Sequence, residues 1–269
     1  MTDRRRIQGP DMSVPPLGME EDGEQLLGMG KPMSALTGKD GRRQDGRLPE
    51  APRPMFLRTG LVTQASGSVF LECGRIKVVA AVYGPRQEKK QHFTGAETGR
   101  LYCEFKFSTF SGRVRRGHQR DALEKEYSQF MQQALTPAIH LDLLPKSAID
   151  VYIQVLEEDG SAAALAAAIT AAGTALADAG IEMLDLVTGC AVGYVGDQVL
   201  VDCTAKEAKM AQGELVLSRM PSMGDYTHIH HAGSVEYDLV MQAVELGGDT
   251  CAKIHGVVSK ALLAPKEEE

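Results

Sequence analysis

The sequence predicts a layered α/β fold in which mixed sheets pack with helices in two related halves. Three observations point to it: β-branched apolar runs separated by tight glycine turns, an alanine-dominated stretch long enough for a central helix, and a hairpin-and-helix theme that recurs after about residue 186. The 269 residues suffice for one large core or two small ones.

Residues 1–50 are rich in Gly, Pro, Met and mixed charge and hold neither a period of two nor one of 3.6. Such a segment buries too little apolar surface to offset its ordering entropy, so a disordered extension is expected there, followed by a folded unit over 51–265. Its halves are expected at about 53–185 and 186–263. Arg4, Arg5 and Arg6 read as a solvated charge run rather than a nuclear address.

Residues 57–63 lead through a polar turn at 64–67 into a strand at 68–73, and a second strand, 76–83 (IKVVAAVY), follows Gly74 and Arg75 and stops at Gly84 and Pro85. Together they predict a hairpin. Residues 101–108 (LYCEFKFS) alternate strictly, with Leu101, Cys103, Phe105 and Phe107 on one face, as a half-buried strand requires. Leu123, Tyr127, Phe130, Met131 and Leu135 fall at helical spacing before Pro137, predicting a helix over 121–135.

A strand at 149–156 (IDVYIQVL), a turn at 157–161 and an Ala-rich helix up to Asp178, Ala179 and Gly180 come next. Alanine favours the helix and permits close backbone approach, so this helix is expected to press against a sheet. Strands follow at 187–194, 198–202 and 214–220. A helical pattern then runs over 234–263, broken at Gly247 and Gly248.

Hydrophobic residues at 43% and charged residues at 24% describe an ordinary globular chain. With 29 Lys and Arg against 36 Asp and Glu the formal charge is −7, so any contact with nucleic acid must be local. Cys73, Cys103, Cys190, Cys203 and Cys251 are scattered through apolar runs without CxxC spacing and read as reduced core thiols. His228, His230 and His231 have no acidic or cysteine companion at ligand spacing and read as a solvated loop. No metal or cofactor is therefore expected. The N-terminus lacks the apolar stretch of a secretory signal, which predicts an intracellular chain, and the Ala-rich helix is too short and small-chained for a bilayer, so no membrane partner is expected.

Arg113, Arg115, Arg116 and Arg120, with His118, concentrate positive charge in one loop of an acidic chain. Arginine's planar fork suits phosphate, so the loop either contacts an RNA backbone or bridges to an acidic neighbouring subunit. No aromatic residue interleaves with these arginines, which argues against base stacking or sequence-specific readout. Lys89 and Lys90 extend a possible basic rim, though a plain surface loop is their default reading.

The ordered phrases ASGSVFLECGRIKVVAAVYGPRQ, RVRRGHQR, LTPAIHLDLLPKSAIDVYIQVLEEDGSA and ALADAGIEMLDLVTGCAVG closely resemble the ribonuclease PH family, in a match that runs from about Arg53 to Leu263. Within it, PKSAIDVYIQVLEEDG and FSTFSGRVRRGHQR are most similar to ring subunits of the eukaryotic RNA exosome. The resemblance implies a ribonuclease PH fold (ribosomal protein S5 domain 2-like). It also implies paralogous partners in a ring of six, an S1-domain cap subunit, an RNA channel lined by the four arginines, and residence in nucleus, nucleolus and cytoplasm.

In active members the resemblance implies a phosphate-binding turn at a helix start and two acids six positions apart that serve proton transfer and a metal. Here the turn reads Asp159, Gly160, Ser161, Ala162, Ala163, with no arginine before Asp178, and Asp159 is expected to cap the following helix. Asp202 occupies the first acidic position but Ala208 the second, and a methyl group can neither bind a metal nor donate a proton. Glu207, one residue off, should point elsewhere. These remnants imply a catalytically inactive subunit without cofactors, the alternative being an active phosphate-dependent 3′-to-5′ exoribonuclease.

Overall fold

The computed structural model describes residues 42–87, 98–117, 119, 121–196 and 198–264. The chain stacks as sheet, helix pair, sheet and helix. The first sheet has the order β1 (Met55–Thr59), β2 (Gly67–Cys73), β3 (Ile76–Gln87), β5 (Ser147–Glu157), β4 (Arg100–Phe107), with only β4 and β5 parallel. The second is antiparallel, in the order β7 (Gln198–Val201), β6 (Thr188–Val195), β8 (Gly213–Met220), β9 (Asp225–Gly233). Between the sheets lie α1 (Ala122–Leu135) and α2 (Ser161–Asp178), and α4 (Tyr237–Leu263) covers the far face of the second.

Burial follows from this layering. The first sheet has helices on one face only, so β4 and β5 alternate between buried and less buried positions. All of β6 is buried, because α2 covers one of its faces and α4 the other. The Ala-rich α2 touches β2, β3, β6 and β8, and Gly189 permits the contact: a Cβ there would lie 2.5 Å from the Ala166 carbonyl oxygen. By length and composition α2 could cross a membrane, contrary to the expectation that it is too short. Its 83% burial between the sheets explains that apolar character.

Residues 42–50, expected to be disordered, are structured, with Arg43 buried. Arg4, Arg5, Arg6, Lys89, Lys90, His118 and Arg120 lie outside the described residues. β3 continues past Gly84 and Pro85 with a register shift between Tyr83 and Arg86. The three histidines are not a loop but part of β9, which carries few aliphatic residues, so its alternation is hidden in the sequence. His228 and His230 pack on Phe130 of α1 with ring centroids 5.3 and 4.4 Å away, which helps fasten α1 to the second sheet, while His231 meets Tyr194 edge-on within that sheet.

Helix α4 runs unbroken through Gly247 and Gly248. A Cβ at Gly247 would come within 2.7 Å of Leu217, and one at Gly248 within 2.6 Å of the Tyr226 hydroxyl. The pair is a notch that seats the helix on β8 and β9. All five cysteines are free thiols, four of them buried.

Candidate functional site

The degenerate centre lies where the two sheets meet, between the start of α2 and the turn after β7. Asp202 follows β7 with φ +54, and its backbone N–H donates to the Ala191 carbonyl at 2.7 Å. An acid buried here needs a cation, because an uncompensated charge in a low-dielectric interior is costly. The cation is Arg53. Its backbone N–H and Nε each donate to Asp202 Oδ2 at 2.9 Å, and its Nη2 donates to Oδ1 at 2.5 Å. Burial opposes ionisation of Asp202, but these donors and Arg47 hold its carboxyl below the usual carboxylate range.

The same guanidinium reaches Asp159, whose Oδ2 accepts from Arg53 Nη1 at 2.9 Å while its Oδ1 accepts from the Ala205 amide at 3.0 Å. Asp159 therefore does not cap α2, contrary to expectation. The N-cap of α2 is Gly160, at φ +105, without a side-chain cap bond. Asp159 instead ties the turn before α2 to the short helix α3 (Ala205–Ala208).

A second arginine holds Glu207. Arg43 Nε donates to Glu207 Oε1 at 2.7 Å, its Nη2 pairs with Oε2, and its other bonds go to the carbonyls of Val201 and Asp202. The Thr204 amide and hydroxyl donate to the same carboxylate at 2.8 and 2.9 Å, so Glu207 closes the capping box of α3. Against the cost of burial, Arg43 and Thr204 lower the Glu207 carboxyl below its ordinary value. Val201 N–H also donates to the Pro49 carbonyl at 2.9 Å, so residues 43–53 form a strap along β7 and across the turn after it.

Sequence reasoning misses these arginines because the composition of the strap matches that of a disordered extension. A usable signal exists nonetheless: Asp202 directly follows the apolar run 199–201 and needs a counter-cation, and GRRQDGRLPEAPRP supplies arginines among prolines that restrict the backbone.

A divalent cation bridging Asp202 and a second acid does not fit this centre. Both Asp202 oxygens face Arg53, and Ala208 lines a crevice of only about 10 Å³ with Gly160, Cys203 and Glu214. That volume holds about one water and no phosphate. Behind it, a larger opening of about 200 Å³ has mostly apolar walls, with Arg53, Asp202, Thr250 and Lys253 among its polar residues. Ser161 begins α2, and burial pushes the nearby Tyr127 phenol up to about 12. Among the described residues no group of three or more His, Cys, Asp or Glu is placed to hold a metal ion.

The depressed carboxyls have a pH consequence. Asp202 and Glu207 bind protons less readily folded than unfolded, so their stabilisation is complete above the unfolded values of about 4 and is lost as pH falls through the lower folded values. We expect Glu207→Gln to lower the urea midpoint at pH 7, and the gap from wild type to close below about pH 4. A gap that stays constant down to pH 3 contradicts the pairing.

The arginine loop stands beside this centre. The Arg116 N–H donates to the Thr109 carbonyl at 3.0 Å, and its guanidinium donates to Glu158 Oε2 at 2.8 Å while lying 4.0 Å from the Phe107 ring centroid. Arg116 thus staples the loop to the residue before Asp159, which leaves its fork less available to a phosphate than the sequence suggests. Arg113 and Arg115 are exposed.

Comparison with known proteins gives a consistent picture. The model for domain 1 of the 3′ exoribonuclease family (RNase_PH) matches residues 51–182, and the model for its domain 2 matches residues 185–250. The Schizosaccharomyces pombe protein named exosome complex component mtr3 is 36% identical over 272 residues, covering 100% of this chain and 98% of its own length. Exosome complex component MTR3 of Homo sapiens is also 36% identical, covering 97% and 94%. Exosome complex component Rrp41 of Cenarchaeum symbiosum is 34% identical over 84% of this chain and 93% of its own. Among solved structures, rice Rrp46 aligns with a TM-score of 0.73 at 25% identity, covering 82% of this chain and all of that one. A chain of the Archaeoglobus fulgidus exosome aligns with a TM-score of 0.71 at 18% identity, over 81% of this chain and 93% of its own, and shows the shared fold.

Proposed function

Because the chain belongs to the 3′ exoribonuclease (RNase PH) family through both of its domains, we propose that it is a non-catalytic subunit of an RNA exosome core ring. In this reading it supports 3′-to-5′ RNA processing and degradation, in rRNA maturation and mRNA turnover, by scaffolding the ring and lining its RNA path. Its partners are paralogous ring subunits, an S1-domain cap subunit and RNA held by its backbone, with residence in nucleus, nucleolus and cytoplasm. Similarity to mtr3 and MTR3 along nearly the whole chain supports the assignment to the ring.

One observation carries the inactive reading: the surviving acid Asp202 is the counter-ion of Arg53, and the position that would complete a pair is the methyl of Ala208. General acid catalysis and metal binding both require a carboxylate free to exchange partners. The test is phosphate-dependent release of nucleoside diphosphates from labelled single-stranded RNA, by the chain alone and within its ring. No release attributable to this subunit is expected, whereas release abolished by Asp202→Asn would establish the enzyme instead.

Arg113 and Arg115 are the exposed arginines of the described loop. Combining Arg113→Glu with Arg115→Glu should weaken RNA retention by the ring uniformly across sequences. The salt dependence should flatten by about one unit of slope for each phosphate that is no longer neutralised. Unchanged retention would assign the loop to a protein neighbour.

A further inference from the structure

Beside the arginine loop stands a side chain that the loop's charge does not explain. Phe110 is 66% exposed, although aromatic side chains make up only 5% of the sequence and Phe105 and Phe107, just before it, are buried. A large exposed apolar ring is informative where it adjoins a charged binding element.

Phe110 is held in place from both sides. Ser111 N–H donates to the Ser108 carbonyl at 3.0 Å, closing a turn that contains Phe110, and Glu158 N–H donates to the Ser111 carbonyl at 2.9 Å. Further along the loop, Arg116 returns to bond Thr109 and Glu158. Phe110 therefore sits at the head of a stapled loop whose other exposed side chains include Arg113, Val114 and Arg115, and Arg115 has no ion-pair partner among the described residues.

We propose that Phe110 is a base-stacking platform for single-stranded RNA, with Arg115 directing the adjoining phosphate. A flat apolar face beside a cation matches the chemistry of a nucleotide, and stacking is tolerant of sequence because every base has a π-face. The occupant is committed to RNA by charge: the chain carries −7 overall, and the ring stands where positive side chains gather. No aromatic lies between the arginines, which by itself argues against stacking, but Phe110 precedes the first of them and shares their loop. This inference rests on the RNA-path reading above and names its subsite.

The experiment uses the reconstituted ring carrying Phe110→Leu, Phe110→Tyr or Arg115→Ala, with binding to oligouridine measured across salt concentrations. Phe110→Leu should weaken binding about 5- to 150-fold with unchanged salt slope, Phe110→Tyr should restore it, and Arg115→Ala should flatten the slope by about one unit. The same RNA with one abasic nucleotide opposite the loop should be insensitive to Phe110→Leu. The proposal is overturned if Phe110→Leu binds RNA like wild type, if it prevents the ring from assembling, or if the abasic RNA still responds. Weaker RNA binding with Arg115→Ala but not with Phe110→Leu would retain the RNA path and reject only the stacking site.

Discussion

Arg53→Met should destabilise the chain by about 3–5 kcal/mol at neutral pH, read as a fall in the urea midpoint. Arg53 is the counter-cation of two acids, donating to Asp202 through Nε, Nη2 and its backbone N–H and to Asp159 through Nη1. Methionine keeps much of the aliphatic stem, so most of the loss comes from leaving Asp202 charged, buried and short of its main partner. Adding Asp202→Asn should recover a substantial part of that loss, because the double variant buries a neutral amide in place of an unpaired charge. Equal stability of Arg53→Met and wild type, or no recovery in the double variant, would refute the ion-pair account of this centre.

A comparable effect is expected at Gly189, by different physics. A methyl there would lie 2.5 Å from the Ala166 carbonyl oxygen and 3.1 Å from the Ala166 Cα, and both atoms are helix backbone, which yields little. Gly189→Ala must push α2 off β6, opening the junction that holds both core clusters together, at a cost of about 3 kcal/mol or more. By contrast Gly180→Ala, at φ +72 with nothing within 4 Å, meets only backbone strain and should lose about 1 kcal/mol. Thermal unfolding of the two variants separates steric exclusion from loss of glycine's freedom, and similar losses would contradict the close seating of α2.

The layered fold is legible because it rests on patterns that local physics imposes. The alternation of LYCEFKF announces a strand with one wet face, and the alanines of α2 announce a helix seated close against its neighbours. The misses have equally local causes. β9 is hidden because His228 and His230 do the packing that aliphatic residues usually do, and the sequence divides α4 wrongly because Gly247 and Gly248 answer to Leu217 and Tyr226 across space.

For the site, the sequence locates Asp159, Ser161, Asp202 and Ala208 in one neighbourhood through a family resemblance. What it does not show is the fate of each charge. Partner choice depends on pairings up to 164 positions apart, as between Arg43 and Glu207, and no local period encodes them. The strap's composition resembles that of a disordered segment, yet arginines meeting buried acids give it a reason to order.

The central claim is that these acids serve as internal counter-ions and have no coordination left for a metal. Manganese titration of the full chain in orthophosphate buffer at neutral pH, followed by paramagnetic broadening of amide resonances, tests it most directly. The account predicts no selective broadening around Cys73, Asp159 and Asp202. Saturable broadening there at one ion per chain, with phosphate held beside it, would contradict it.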